Sequence, residues 1–141
     1  MDVFERLRNA GGHSLEEEPV EFAYLFGSHA RSTADKHSDV DLAVLVEDLV
    51  PPEDFLDMAL RLAGAVERAS RVGPIESLVI LNEASLPLAA RVVHEGRVFF
   101  SRNEPLRVAY ESRIFREFTD FDFLARSLDS ETIRAHGEGR R

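Results

Sequence analysis

A small-residue turn and a pair of carboxylates, each attached to a short apolar run, constrain this chain more than any other feature. Val20 to Phe26 reads VEFAYLF, apolar and aromatic-rich, and predicts a strand. Gly27-Ser28 follows, then ten residues, then Asp39-Val40-Asp41 at the head of a second apolar run, DVDLAVLV, over Asp39 to Val46. Gly27 lets the backbone turn sharply or come close to a ligand, because it has no Cβ. Ser28 suits the cap of a short helical turn, His29-Ala30-Arg31, whose free N–H groups would accept a phosphate. The Ser28 hydroxyl can add a donor, and Arg31 can add positive charge if it points inward. Thr33 to Ser38 is polar and reads as the loop that returns the chain.

Successive side chains of a strand alternate between faces. Asp39 and Asp41 therefore share a face with Ala43 and Leu45, while Val40, Leu42, Val44 and Val46 fill the other and read as core. Two like charges at neighbouring positions repel, and either water or a bound cation can relieve them. Hard oxygen ligands of this kind suit Mg²⁺, which commonly uses one or two carboxylates together with substrate phosphates. A Gly-Ser turn is common, and so is a solvated Asp-x-Asp at a strand end. In this order, with a strand before the turn and another behind the carboxylates, they make a site.

The remaining composition narrows the function. A chain of 141 residues suits one domain with a single core. The formal net charge of −9, with no Lys/Arg run, argues against direct binding to a nucleic-acid backbone. Without cysteine there are no disulfides, thiolate metal sites or cysteine nucleophiles. The first residues, MDVFERLRNAGG, carry no long apolar segment, so neither a secretory signal nor a membrane span is expected, and a cytoplasmic location is the default.

In chain order, Asp2 to Ala10 predicts a short amphipathic helix stopped by Gly11-Gly12, and His13 to Pro19 an acidic loop with His13 exposed. After Pro51-Pro52, the residues Phe55, Met58, Ala59, Leu62 and Val66 recur at helical spacing to about Ser70. Ile75 to Leu81 predicts a third strand. Ser85-Leu86-Pro87 starts a helix that runs to Glu95, and Gly96 stops it. His94 near its end suits the helix C-terminal dipole better than catalysis. Arg97 to Ser101 predicts a fourth strand. Asn103-Glu104-Pro105 opens a helical segment to about Leu128, with a bend or break expected at Thr119-Asp120. Its many apolar residues exceed one narrow stripe: part covers the sheet, and part either joins that cover or faces a partner. A polar tail runs from Ser130 to Arg141. The expected fold is α/β (α+β), one domain over 1–141: a small mixed sheet of about four strands with helices packed on it, a core over 20–101, a helical segment over 104–128 and a tail over 130–141.

Gly27-Ser28, ten residues and Asp39-x-Asp41, with Ala30-Arg31 and Ser38 between, resemble the signature of the polymerase-β-like nucleotidyltransferase superfamily. The shortness of the chain is similar to its minimal branch, the MNT proteins, many of which are antitoxins encoded beside a HEPN-domain toxin. The resemblance is specific over roughly Val20 to Val46. It continues more weakly through Leu81-Asn82-Glu83-Ala84 to Phe99-Phe100, and is only general before and after. It implies nucleotidyl transfer: an acceptor attacks the α-phosphate of a nucleoside triphosphate, ATP in this branch, and pyrophosphate leaves. Asp39 and Asp41 would hold one or two Mg²⁺ ions, Gly27 and Ser28 the outer phosphates, with Arg31 and Ser38 as further nucleotide contacts.

The family also carries a third acid on the third strand, close to the Asp pair. Matching Leu81 to Ala84 with the family's similar segment puts that position on Ser77. Glu76 is adjacent but on the opposite face, unless a bulge re-aims it, and it is the candidate for a substituted third catalytic acid. Three functions follow from the resemblance: an antitoxin that transfers AMP to its HEPN toxin, a contact-only or nucleotide-holding antitoxin, and a transferase acting on a small molecule of the aminoglycoside type. The acceptor, the preferred nucleotide and the oligomeric state stay open.

Overall fold

Two strands that bracket the Gly27 turn and the Asp pair form the centre of the molecule. The computed structural model describes residues 1–30 and 39–135. β1 (Val20–Phe26) and β2 (Val40–Val46) pair antiparallel, with Val20 opposite Val46 and Phe26 opposite Asp41. β3 (Ile75–Ile80) lies parallel to β2, and β4 (Arg97–Ser101) lies antiparallel to β1, giving the order β3-β2-β1-β4. Parallel neighbours need a crossover. Here α2 (Phe55–Ser70) supplies it between β2 and β3. α1 (Val3–Arg6) precedes β1, α3 (Leu86–Glu95) joins β3 to β4, and α4 (Glu104–Ala135) follows β4. This is the mixed four-stranded α/β fold expected from the sequence.

Both faces of the sheet are covered, and strand alternation decides what lies on each. Ala23 and Leu25 of β1 with Val40, Leu42, Val44 and Val46 of β2 pack on α2 through Phe55, Met58, Leu62 and Val66. Leu62 and Val66 are fully buried, each contributing ~1.5–3 kcal/mol of apolar burial. Phe22, Tyr24 and Phe26 with Ala43 face the other way, onto Ala89 and Val92 of α3 and Tyr110 and Ile114 of α4. The Phe22 ring meets Tyr24 edge-on at 5.7 Å. The Tyr24 hydroxyl donates to Glu111 Oε2 at 2.6 Å, and the Arg107 guanidinium holds the same oxygen at 2.8 Å, so α4 is tied to the sheet by a polar latch over an aromatic floor.

Three expectations need correction. Gly11-Gly12 does not stop the first helix. From Leu7 to Gly11 the chain widens into a π-helical turn and then tightens into a 3₁₀ turn over His13–Leu15. A Cβ at Gly11 would stand 3.3 Å from Val66 Cγ1, so this glycine permits close approach of the segment to α2. Nor does α4 break at Thr119-Asp120: the Thr119 hydroxyl donates to the Phe115 carbonyl at 2.8 Å and the helix continues. It also passes Leu128 and runs to Ala135, because no Gly or Pro occurs from Asp129 to Ala135. α3 starts as expected, with the Ser85 hydroxyl accepting from the Leu88 N–H.

Asn82 fastens the end of β3 to the end of β2. Its amide accepts from the Val46 N–H and donates to the Val46 carbonyl, both at 2.9 Å. Asn82→Ala leaves both backbone groups of a buried residue without these partners and is expected to cost about 1 kcal/mol, read as a lower urea midpoint at unchanged slope.

Candidate functional site

The carboxylates sit where the middle strands begin. Asp39 immediately precedes β2 and is exposed. Asp41 is the second residue of β2 and is partly buried. Asp41 lies between Phe26 on β1 and Ser77 on β3, its direct partners in the two ladders. It belongs to the sheet face that carries Phe26 and Ala43, beneath α3. Val40, Leu42, Val44 and Val46 lie on the opposite face, as alternation predicted.

The turn after β1 comes directly against Asp41. Gly27 has φ +78°, in the region that disfavours side chains, and a Cβ there would be 2.6 Å from Asp41 Oδ2. The absence of a side chain therefore serves both the backbone geometry and the room for the carboxylate. Ser28, His29 and Ala30 form a turn, with the Ala30 N–H on the Gly27 carbonyl at 3.1 Å. Arg31 and Ser38, with the loop between them, lie outside the described residues.

Among the described residues, burial and three charges act on Asp41. Burial pushes its carboxyl above the usual range and Asp39 pushes it further, while Arg91 and His29 pull it down. A desolvated carboxyl beside a second carboxylate is an arrangement that a cation relieves, so the pair fits a divalent metal that takes its other ligands from phosphate and water. Among the described residues no group of three His, Cys, Asp or Glu could hold a metal alone.

Ser77 is the direct β3 partner of Asp41, while the pairing before it joins Val40 to Ile75. Glu76 is thus the extra residue of a bulge, and it is exposed. Among the described residues, the charges that act on Asp41 are those of Asp39, Arg91 and His29.

Arg91 escaped the sequence reading. It stands on α3 with its guanidinium 5.7 Å from the centre of the Phe26 ring, and its Nε meets Glu95 Oε2 at 3.1 Å. In the sequence it looks like any solvated helix residue paired four positions on. Its position beside Asp41 depends on α3 packing across the end of β1.

The family model described as polymerase beta, nucleotidyltransferase matches residues 13–105, which span all four strands. The chain belongs to the polymerase beta nucleotidyltransferase family. A protein adenylyltransferase, MntA, of Shewanella oneidensis is 36% identical over 78 residues, 55% of this nucleotidyltransferase-family chain and 52% of that relative. The match thus spans about half of the relative's length. Among solved structures, a chain of a toxin–antitoxin complex with AMP-PNP superposes with a TM-score of 0.64 at 20% identity, over 92% of this chain and 98% of that one. A chain from the tri-AMPylated Shewanella oneidensis HEPN toxin in complex with MNT antitoxin gives 0.57 at 20% identity, over 82% and 85%. At these identities the likeness is one of fold. No described helix of this nucleotidyltransferase-family chain is long and apolar enough to cross a membrane.

Proposed function

We propose that this chain is the antitoxin of a HEPN/MNT pair and transfers AMP from ATP to a hydroxyl of its toxin. The observation that carries the proposal is the Asp39/Asp41 pair seated against the side-chain-free Gly27 turn. The names of the similar proteins, an adenylyltransferase and toxin–antitoxin complexes, favour a protein acceptor over a small molecule.

Asp39 and Asp41 would hold Mg²⁺, which when bound neutralises charge on the triphosphate and the leaving pyrophosphate. Gly27 and Ser28 would hold the outer phosphates, the missing side chain at Gly27 leaving room for a close approach. In the transfer, the acceptor oxygen forms a bond to the α-phosphorus, the bond to the β-phosphate oxygen breaks, and pyrophosphate leaves with that electron pair. The acceptor proton must go to a base or to water. Arg91 adds a positive charge on the α3 side of the Asp pair.

A second reading draws on one observation: Ser77, a poor base, occupies the strand position beside Asp41. On that reading the chain holds nucleotide, or only its partner, and transfers slowly or not at all. Incubation with labelled ATP, Mg²⁺ and the HEPN-domain protein encoded beside it separates the two. Label on the partner supports transfer; a stable complex that never acquires label supports contact alone. Ser77→Asp is expected to raise the transfer rate by about ten- to a hundredfold by restoring a base next to Asp41. A folded Ser77→Asp protein no faster than the wild type removes that position from the chemistry.

A further inference from the structure

Arg91 is placed for a task that helix pairing does not account for. It is the only Arg or Lys of α3. It precedes Glu95 by four residues, the reverse of the order that helix electrostatics favour. Glu95 also stands at the helix C-terminus, where the backbone dipole disfavours a carboxylate. The Arg91 side chain is 50% exposed, so water screens the pair and leaves it little weight in stability.

The pair occupies only one edge of the guanidinium. Nε donates to Glu95 Oε2 at 3.1 Å, and among the described residues the two Nη groups make no hydrogen bond. Those groups form the planar fork that matches two phosphate oxygens at once. The fork stands at the end of the sheet that carries the Asp pair. Arg91 Cζ lies 5.7 Å from the centre of the Phe26 ring. Phe26 is the direct β1 partner of Asp41, shares its face, and is followed at once by the Gly27 turn. The charge of Arg91 is felt at Asp41. A triphosphate seated here brings negative charge against two carboxylates. A fixed cation on the α3 side offsets that repulsion and stabilises the charge that builds as pyrophosphate leaves.

We infer that Arg91 is a phosphate-binding residue, whose guanidinium takes phosphate oxygens of the nucleoside triphosphate seated at Asp39 and Asp41. This inference rests on the adenylyl-transfer reading for the identity of the ligand, but its test does not require transfer. Arg91→Met keeps an unbranched stem over Phe26, and Arg91→Lys keeps the charge. Both are compared with Arg61→Met. Arg61 pairs with Glu18, just ahead of β1, so this control removes the same charge at the end of β1 away from Gly27. Each protein is titrated calorimetrically, in Mg²⁺, with ATP and with inorganic tripolyphosphate, which has the phosphates and no nucleoside. Thermal melts check that each is folded. The expected result is that Arg91→Met loses affinity for both ligands by about tenfold or more, Arg91→Lys recovers part of that loss, and Arg61→Met binds as wild type. If the wild type binds ATP and Arg91→Met binds it equally well, the inference is overturned and the transfer reading stands. A loss for ATP without a loss for tripolyphosphate assigns Arg91 to the nucleoside and overturns it. An equal loss in Arg61→Met reduces the effect to net charge and overturns it as well. A wild type that binds neither ligand overturns the transfer reading, and this inference with it.

Discussion

Replacing Asp39 and Asp41 together by Asn is expected to reduce AMP transfer by about a thousandfold or more while raising the melting temperature of the free protein. The rate loss follows from removing both hard ligands: metal stabilisation of phosphoryl charge contributes several kcal/mol, and each 1.36 kcal/mol is about tenfold in rate. The stability gain follows from the sign of the shift at Asp41. Burial first, and Asp39 second, hold its carboxyl above its unfolded value, so the folded chain binds this proton more readily than the unfolded chain. Stability from this group is therefore lower above the folded value and recovers as pH falls through it. Asn removes the charge and with it the penalty at neutral pH. Thermal scans across pH would check this: the wild type should gain on the double variant as the solution is acidified through the Asp41 range. A variant less stable than wild type at neutral pH would mean that Arg91 and His29 outweigh burial and Asp39.

Gly27→Ala is expected to weaken ATP binding by tenfold or more, and Gly73→Ala provides the control. Both glycines have positive φ, +78° and +90°, so alanine at either costs about 1 kcal/mol in backbone strain. Only Gly27 has a neighbour in the way: its Cβ would meet Asp41 Oδ2 at 2.6 Å, while nothing lies within 4 Å of a Cβ at Gly73. The end of an Asp side chain can move aside, so the fold should survive Gly27→Ala with a loss of stability similar to that of Gly73→Ala. The carboxylate, however, is displaced from the place it shares with Asp39. Calorimetry on the two variants separates strain from displacement. Equal ATP affinity in both would mean that the turn does not shape the site.

Much of this was legible in the sequence because it is local. Alternation placed Val40, Leu42, Val44 and Val46 on the core face and Asp39 and Asp41 away from it. Ser85 ahead of Pro87 marked the start of α3. Features set by distant contacts were less legible. The π-helical turn at Leu7–Gly11 depends on α2 arriving beside Gly11, and the local pattern shows only two breakers. The bulge that pairs Ser77 with Asp41 depends on the β2–β3 register, which periodicity within β3 leaves open. Arg91 comes to the site through the packing of α3 over Phe26, and its local partner Glu95 made it look like a solvated pair. The strip on α4 was legible as an excess of apolar residues, but its division between sheet-facing Tyr110 and Ile114 and exposed Phe115, Phe121 and Leu124 required the helix to be placed on the sheet.

The most direct test of the site is calorimetric titration of the isolated protein with ATP, with and without Mg²⁺, alongside the Asp39→Asn/Asp41→Asn variant. The account predicts binding that requires Mg²⁺ and disappears in the variant. Binding that persists without Mg²⁺, or that survives loss of both carboxylates, would contradict it.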